Sequence, residues 1–342
     1  MFRSRAEAQE PEPGEDISAA IVSAARDARP LALSALAADP LLPKAHALLA
    51  IASENDATRS EIARMGQALN RRDVTLQGVI LQNALAEGDY DATFGAINRI
   101  LRVSPERSDE FYPVLTDALL QDGAAPALSR LASDPPLWFD GFLLFAVERD
   151  ASLLRLASVR RDVDVKNADF DRRLVRRLSI TGEFATAQEI YRLASASRET
   201  PEAEAEHAIR FAYPPFDWDL ANEGGLRARP TRDEKAIRFT VRRGRNGTVM
   251  QRFIEAPKES LQLRIEHDLK LENRIEPARV QASCGWAEQP FFDTDLVASP
   301  ARYAVPVPSG NCDFVRIRLF ARPVLMGAAF SGEIKRFDVE RR

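Results

Sequence analysis

Cysteine and histidine are scarce in this 342-residue chain, which has two of the first and three of the second. Cys284 and Cys312 do not make a disulfide framework, and alone they cannot complete a zinc site. His46, His207 and His267 are scattered along the chain, and none stands at metal-ligand spacing. Neither a metal nor a cofactor is therefore expected. Long apolar runs are missing too. The longest, Phe142 to Val147, is bounded by Asp140 and Glu148 and falls far short of the roughly 20 residues that span a bilayer, so no membrane span is expected. The net charge of −4 is too small to suggest nucleic acid as a partner.

Catalytic constellations are equally thin. Cys284 and His267 offer a nucleophile and a base, but nothing near them suggests an oxyanion hole. Asp217 and Asp219 share one strand face, whereas glycoside hydrolysis needs carboxylates opposed across the substrate. A non-enzymatic protein is the expectation.

What is present divides at Tyr213-Pro-Pro-Phe-Asp-Trp-Asp-Leu220. Adjacent prolines remove two backbone donors, so a helix running to Phe211 must stop before them. Phe216 and Trp218 then alternate with Asp217 and Asp219, as the first strand of a half-buried sheet would. Residues 1–210 hold 25 Lys and Arg against 33 Asp and Glu, and residues 211–342 hold 22 against 18, so the net charge is −8 in front and +4 behind. The expected fold class is α + β in two domains. Residues 1–16 read as a disordered acidic tail, 17–212 as a helical repeat domain and 213–342 as a β-sandwich. The acidic lead is unlike a signal peptide, which leaves a cytoplasmic protein or one whose anchor lies upstream.

In the front part, apolar residues recur at three and four, as in Leu76, Val79, Ile80 and Leu81. The pair Ala35-Leu36 recurs as Ala68-Leu69 after 33 residues, Ile100-Leu101 after 32 and Arg130-Leu131 after 30; Ala194 lies 64 beyond Arg130. Gly88-Asp-Tyr and Gly182-Glu-Phe each open a second helix, with Tyr90 and Phe184 expected to wedge between paired helices. Here the chain resembles the tetratricopeptide repeat, whose period is about 34 residues. That resemblance implies a solenoid whose concave face binds a protein partner. Thr93 and Ile100 depart from the small residues usual in such repeats. Arg172, Arg173, Arg176 and Arg177 form a basic helix face, read as a solvated one balanced by Asp162, Asp164, Asp169 and Asp171.

In the back part the period becomes two: Ile237, Phe239 and Val241; Leu261, Leu263 and Ile265; Val315, Ile317 and Leu319. Asn246-Gly247 reads as a two-residue hairpin turn joining the first of these strands to Thr248–Glu255. The closing Gly332 to Glu340 resembles the last strand of jelly-roll carbohydrate-binding modules. Trp286, Phe291 and Phe292 lie in a turn-rich rim segment and are candidate sugar platforms, with the core as the alternative for Trp286. Arg238 and Arg242, in an arginine stripe with Arg243, Arg245 and Arg252, either meet an anionic polysaccharide or coat a solvent face. Cys284 and Cys312 either form a disulfide between strands or remain thiols. Cys312 has the outward parity of Arg316 and Arg318, so pairing requires that it precede the regular strand or that a bulge reset the face.

Over most of its length the chain resembles a group of helical-repeat proteins encoded beside bacterial exopolysaccharide genes. Arg71-Arg72-Asp73 and Pro215-Phe-Asp-Trp218 carry that likeness. It implies a non-catalytic scaffold or binding protein of the cell envelope, periplasmic or envelope-associated, with assembly machinery as protein partner. The enzyme alternative is a polysaccharide lyase built from a helical domain and a β-sandwich.

Overall fold

The computed structural model describes residues 17–196, 209–233, 235–269, 278–310, 312–323 and 329–341. The acidic tail 1–16 and His207 lie outside them. Two compact units divide the chain, Met1–Val165 and Lys166–Arg342. Helices make up the described part of the first unit; two antiparallel sheets dominate the second.

In the first unit, α1 (Ile17–Ala38), α2 (Pro43–Ala52), α3 (Asp56–Leu69), α4 (Val74–Glu87) and α5 (Tyr90–Val103) follow one another with short connections. They continue as α6 (Ser108–Leu119), α7 (Ala124–Ala132), α8 (Phe139–Ala146) and α9 (Leu153–Asp162). Short polar side chains start them: Asn55, Asp73 and Asp89 each accept the amide N–H three residues on, at 2.9 Å, satisfying a donor the helix leaves free. The recurring anchors Ala35-Leu36, Ala68-Leu69, Ile100-Leu101 and Arg130-Leu131 fall in the last turns of α1, α3, α5 and α7. Asp73 of the Arg-Arg-Asp element is thus a helix cap. The apolar run from Phe142 closes α8, where Phe142, Leu143 and Ala146 are buried beside Trp138, and Val147 just past the helix is buried too.

The second unit begins with α10 (Ala168–Ile180) and α11 (Phe184–Ala196), so the compact unit starts some distance before residue 213, where the sequence placed the division. The reason is aromatic. Phe184, expected to wedge between helices, instead stacks on Phe314 (centroids 5.3 Å apart) and Phe253 (5.0 Å), both from the sheets. Tyr191 of α11 lies 5.4 Å from Phe216. These rings remove apolar area from water that the sheet would otherwise expose.

The first sheet has the strand order β1 (Asp219–Leu220), β4 (Gly247–Glu255), β9 (Phe314–Ala321), β6 (Ala278–Cys284), β7 (Phe292–Asp295). In the second the order is β2 (Leu226–Pro230), β3 (Ile237–Val241), β10 (Phe330–Arg341), β5 (Ser260–His267), β8 (Ala301–Pro306). One core lies between them, with Ile237, Phe239, Leu263 and Ile265 from one sheet and Val280, Ala282, Ile317 and Leu319 from the other. The closing segment is no edge strand: β10 sits between β3 and β5, and a Cβ on its Gly332 would come within 2.3 Å of Leu269 Cδ2.

Two local expectations fail. Asn246-Gly247 does not close a hairpin, because β3 pairs with β2 and β10 while β4 pairs with β1 and β9 in the other sheet. Phe216, Asp217 and Trp218 do not alternate in a strand. They follow a cis Pro214–Pro215 turn and all three are buried, with strand pairing starting only at Asp219. Cys284 and Cys312 are joined by a disulfide (Cα–Cα 5.2 Å). Cys312 precedes β9, which frees it from the parity of Arg316 and Arg318.

Candidate ligand-binding site

Asp217 is the carboxylate that organises the turn. Its Oδ2 accepts the Tyr213 N–H at 2.9 Å, and its Oδ1 accepts the Tyr191 hydroxyl at 2.9 Å. Burial pushes the Tyr191 phenol up to about 12, and the Asp217 charge and hydrogen bond push the same way. Asp217 is therefore committed to structure, and Asp219, two residues on, faces elsewhere.

Asp219 opens onto a cleft of about 440 Å³ within the second unit. Arg176 and Ile180 of α10 form one wall; Pro214 and Pro215, Glu223, Gln251 of β4 and Trp286 supply the rest. Gln251 Nε2 donates to Asp219 Oδ2 at 3.3 Å across the β1–β4 pair. Two carboxylates, an amide, a guanidinium and an indole thus converge. Such a set accepts and donates hydrogen bonds to a polar ligand while offering one flat apolar surface.

Trp286 is packed on one side and open on the other. Its indole N–H donates to Ser179 O at 2.6 Å, and its ring lies 4.7 Å from Phe253. Yet 37% of its surface remains exposed, and it lines the cleft. The Arg316 guanidinium lies 5.5 Å from the centre of its ring. Burial and the neighbouring Arg318 lower the Arg316 pKa to about 10, so it stays charged at neutral pH. Arg316 Nη2 also donates to Ala287 O at 2.6 Å, pinning the loop that carries Trp286.

Phe291 and Phe292 are not brought to the cleft. Both pack against the core between the sheets, Phe292 with its ring 6.2 Å from Tyr303. Arg238 and Arg242 lie on the second sheet, in a separate groove of about 350 Å³ with Gly225, Arg227, Arg229 and Thr240. His267 is buried, its ring bonded to Val297 O and the Leu269 N–H, and His46 bonds Leu42 O. Of the basic helix face, Arg172 pairs with Asp169 at 3.1 Å, while Arg176 turns to the cleft. Among the described residues no group of His, Cys, Asp and Glu is arranged to hold a metal ion, and no helix is long and apolar enough to cross a membrane.

Arg176, Asp219, Glu223 and Gln251 were not singled out as ligand residues by sequence. They come from places up to 75 residues apart (176 to 251), and no local pattern links them.

The chain matches no protein-family profile and no curated protein sequence. Among solved structures, it is similar to accessory secretory proteins 1, 2 and 3 of Streptococcus pneumoniae at 11% identity and TM-score 0.26, over 35% of this chain and 87% of that one. It is also similar to a family GH115 4-O-methyl-α-glucuronidase with specificity for decorated arabinogalactans, at 10% identity and TM-score 0.24, over 84% of this chain and 44% of that one. Likeness at this level carries no argument about function.

Proposed function

We propose that this protein is a non-catalytic binding protein of bacterial cell-envelope polysaccharide assembly or export. In this reading the helical unit is a tetratricopeptide-like solenoid that engages a protein of the assembly machinery. The paired sheets, a jelly-roll-like sandwich, hold polysaccharide. The cleft carries the proposal, because the Trp286 ring beside Asp219, Glu223, Gln251 and Arg176 combines a flat apolar surface with hydroxyl-directed polar groups. The Cys284–Cys312 disulfide supports a periplasmic setting, since thiols are kept reduced in the cytoplasm.

The test is retention of the protein by the polysaccharide of its own host in affinity electrophoresis, with polymer length and unsaturated ends followed in parallel. The expected result is retardation that Asp219→Asn and Gln251→Ala weaken, with polymer length unchanged. Shortened chains bearing unsaturated ends would replace this reading with the lyase, and absence of retardation would remove the cleft as a polysaccharide site.

A further inference from the structure

The outer face of the second sheet carries an uneven distribution of charge. Leu226, Ile237, Phe239 and Val241 point into the core, so alternation sends Arg227, Arg229, Arg238, Thr240 and Arg242 to the opposite side. In the antiparallel register Arg229 stands directly opposite Arg238, and Arg227 opposite Thr240. Arg242 closes the array beside Gly225, whose carbonyl accepts its N–H at 2.9 Å. Further across the same face the arginines are neutralised locally, Arg264 by Glu266 and Arg336 by Asp338. In the groove Arg238 pairs with Glu333 at 3.0 Å, and Arg227, Arg229 and Arg242 show no ion pair among the described residues.

Like charges set directly opposite on neighbouring strands disfavour a sheet. Charge on an edge strand can guard against unwanted strand pairing, and β2 is an edge. That role needs neither the Arg229–Arg238 apposition nor Arg242, because β3 is already paired on both sides. An anion lying in the groove would relieve the repulsion.

We propose that this groove binds a linear anionic polysaccharide through its carboxylates. Side chains two apart on a strand repeat at about 6.7 Å and neighbouring strands lie about 4.8 Å apart, so the guanidinium groups offer an array to a chain bearing repeated charges. Arginine forks take carboxylates with two parallel hydrogen bonds. A single-stranded nucleic acid would want aromatic side chains for its bases to stack on, and among the described residues none lines this groove. The inference shares with the proposed function the premise of a polysaccharide ligand but rests on a different site.

The experiment measures binding of the full chain to polygalacturonate, to the same polymer fully methyl-esterified, and to single-stranded DNA, across a salt series. The expected result is salt-sensitive binding to polygalacturonate, with the esterified polymer and the DNA each at least about tenfold weaker. The triple variant Arg227→Gln/Arg229→Gln/Arg242→Gln should lose at least about tenfold in affinity. Arg229→Gln alone should bind more weakly while melting at the same or a higher temperature, an outcome that a purely structural arginine would reverse. Equal binding of the esterified polymer or of DNA overturns the proposal, as does wild-type affinity in both Arg229→Gln and the triple variant. If Asp219→Asn abolishes polygalacturonate binding and the arginine changes do not, this inference falls and the cleft reading stands. If the host polymer is not retained but polygalacturonate is bound through the arginines, the cleft reading falls and this one stands.

Discussion

The most telling single residues are those the fold uses fully. Asp217 is buried and accepts hydrogen bonds from a backbone amide and a phenol, so Asp217→Ala leaves two donors without an acceptor. A loss of about 2–3 kcal/mol is expected in chemical denaturation, with little change in the denaturant slope. The pH dependence follows from Tyr191. Its folded-state pKa is raised from 10.0 to about 12, so its contribution to stability is complete below pH about 10 and is lost as pH climbs towards 12, where the unfolded chain ionises first. Wild type should therefore lose on the order of 2 kcal/mol more than Tyr191→Phe between pH 9 and 12, as read from denaturation midpoints. Gly332→Ala would drive a methyl group into Leu269, and about 1–3 kcal/mol of destabilisation is expected from the overpacking.

At the scale of elements, the helical hairpin α10–α11 behaves as a cover for the first sheet. Phe184 contributes a ring to Phe253, Phe314 and Trp286 at once, and Gly285, at φ +50 in the turn after β6, lies against the same ring. A fragment spanning 166–342 should melt cooperatively. One that starts at 213 should melt at lower temperature or bind a hydrophobic dye, because Phe253 and Phe314 are then exposed. Phe184→Ala in the full chain tests the same point with a smaller change, at an expected cost of about 3 kcal/mol. Calorimetry showing the 213–342 fragment as stable as 166–342 would make the hairpin a passenger.

For the whole molecule, the single disulfide crosslinks only the second unit. It closes a separation of 28 residues, so the chain-entropy argument gives about 3.5 kcal/mol of stabilisation. Reduction should lower the melting transition assigned to residues 166–342 and leave that of 17–165 in place, which differential scanning calorimetry with and without reductant would resolve. Movement of both transitions together would mean that the two units do not unfold separately.

Much of the architecture was legible because burial imprints a period. The strands at Ile237–Val241 and Ser260–His267 alternate in sequence because one face of each meets the core, and the anchors from Ala35-Leu36 to Arg130-Leu131 recur because alternate helices end alike. Periodicity says which face is buried and not against what. Phe184 and Tyr191 look like repeat residues, yet their partners are Phe253, Phe314 and Phe216 on another kind of element. Asn246-Gly247 reads as a turn, but the chain turns at Arg242–Arg245, Gly247 already pairs with Ala321, and which sheet the next strand joins depends on the core that both sheets share. The sites divide along the same line. Arg238 and Arg242 stood out as a stripe; that Arg227 and Arg229 join them follows from the register of β2 on β3. Of the cleft only Trp286 stood out in the sequence as a ligand residue, since Arg176, Asp219, Gln251 and Trp286 meet only after α10 has docked beside the first sheet. Local sequence determines the alternation and the caps through short-range sterics and hydrogen bonding, while the pairing of distant surfaces depends on long-range burial that no window of neighbouring residues contains.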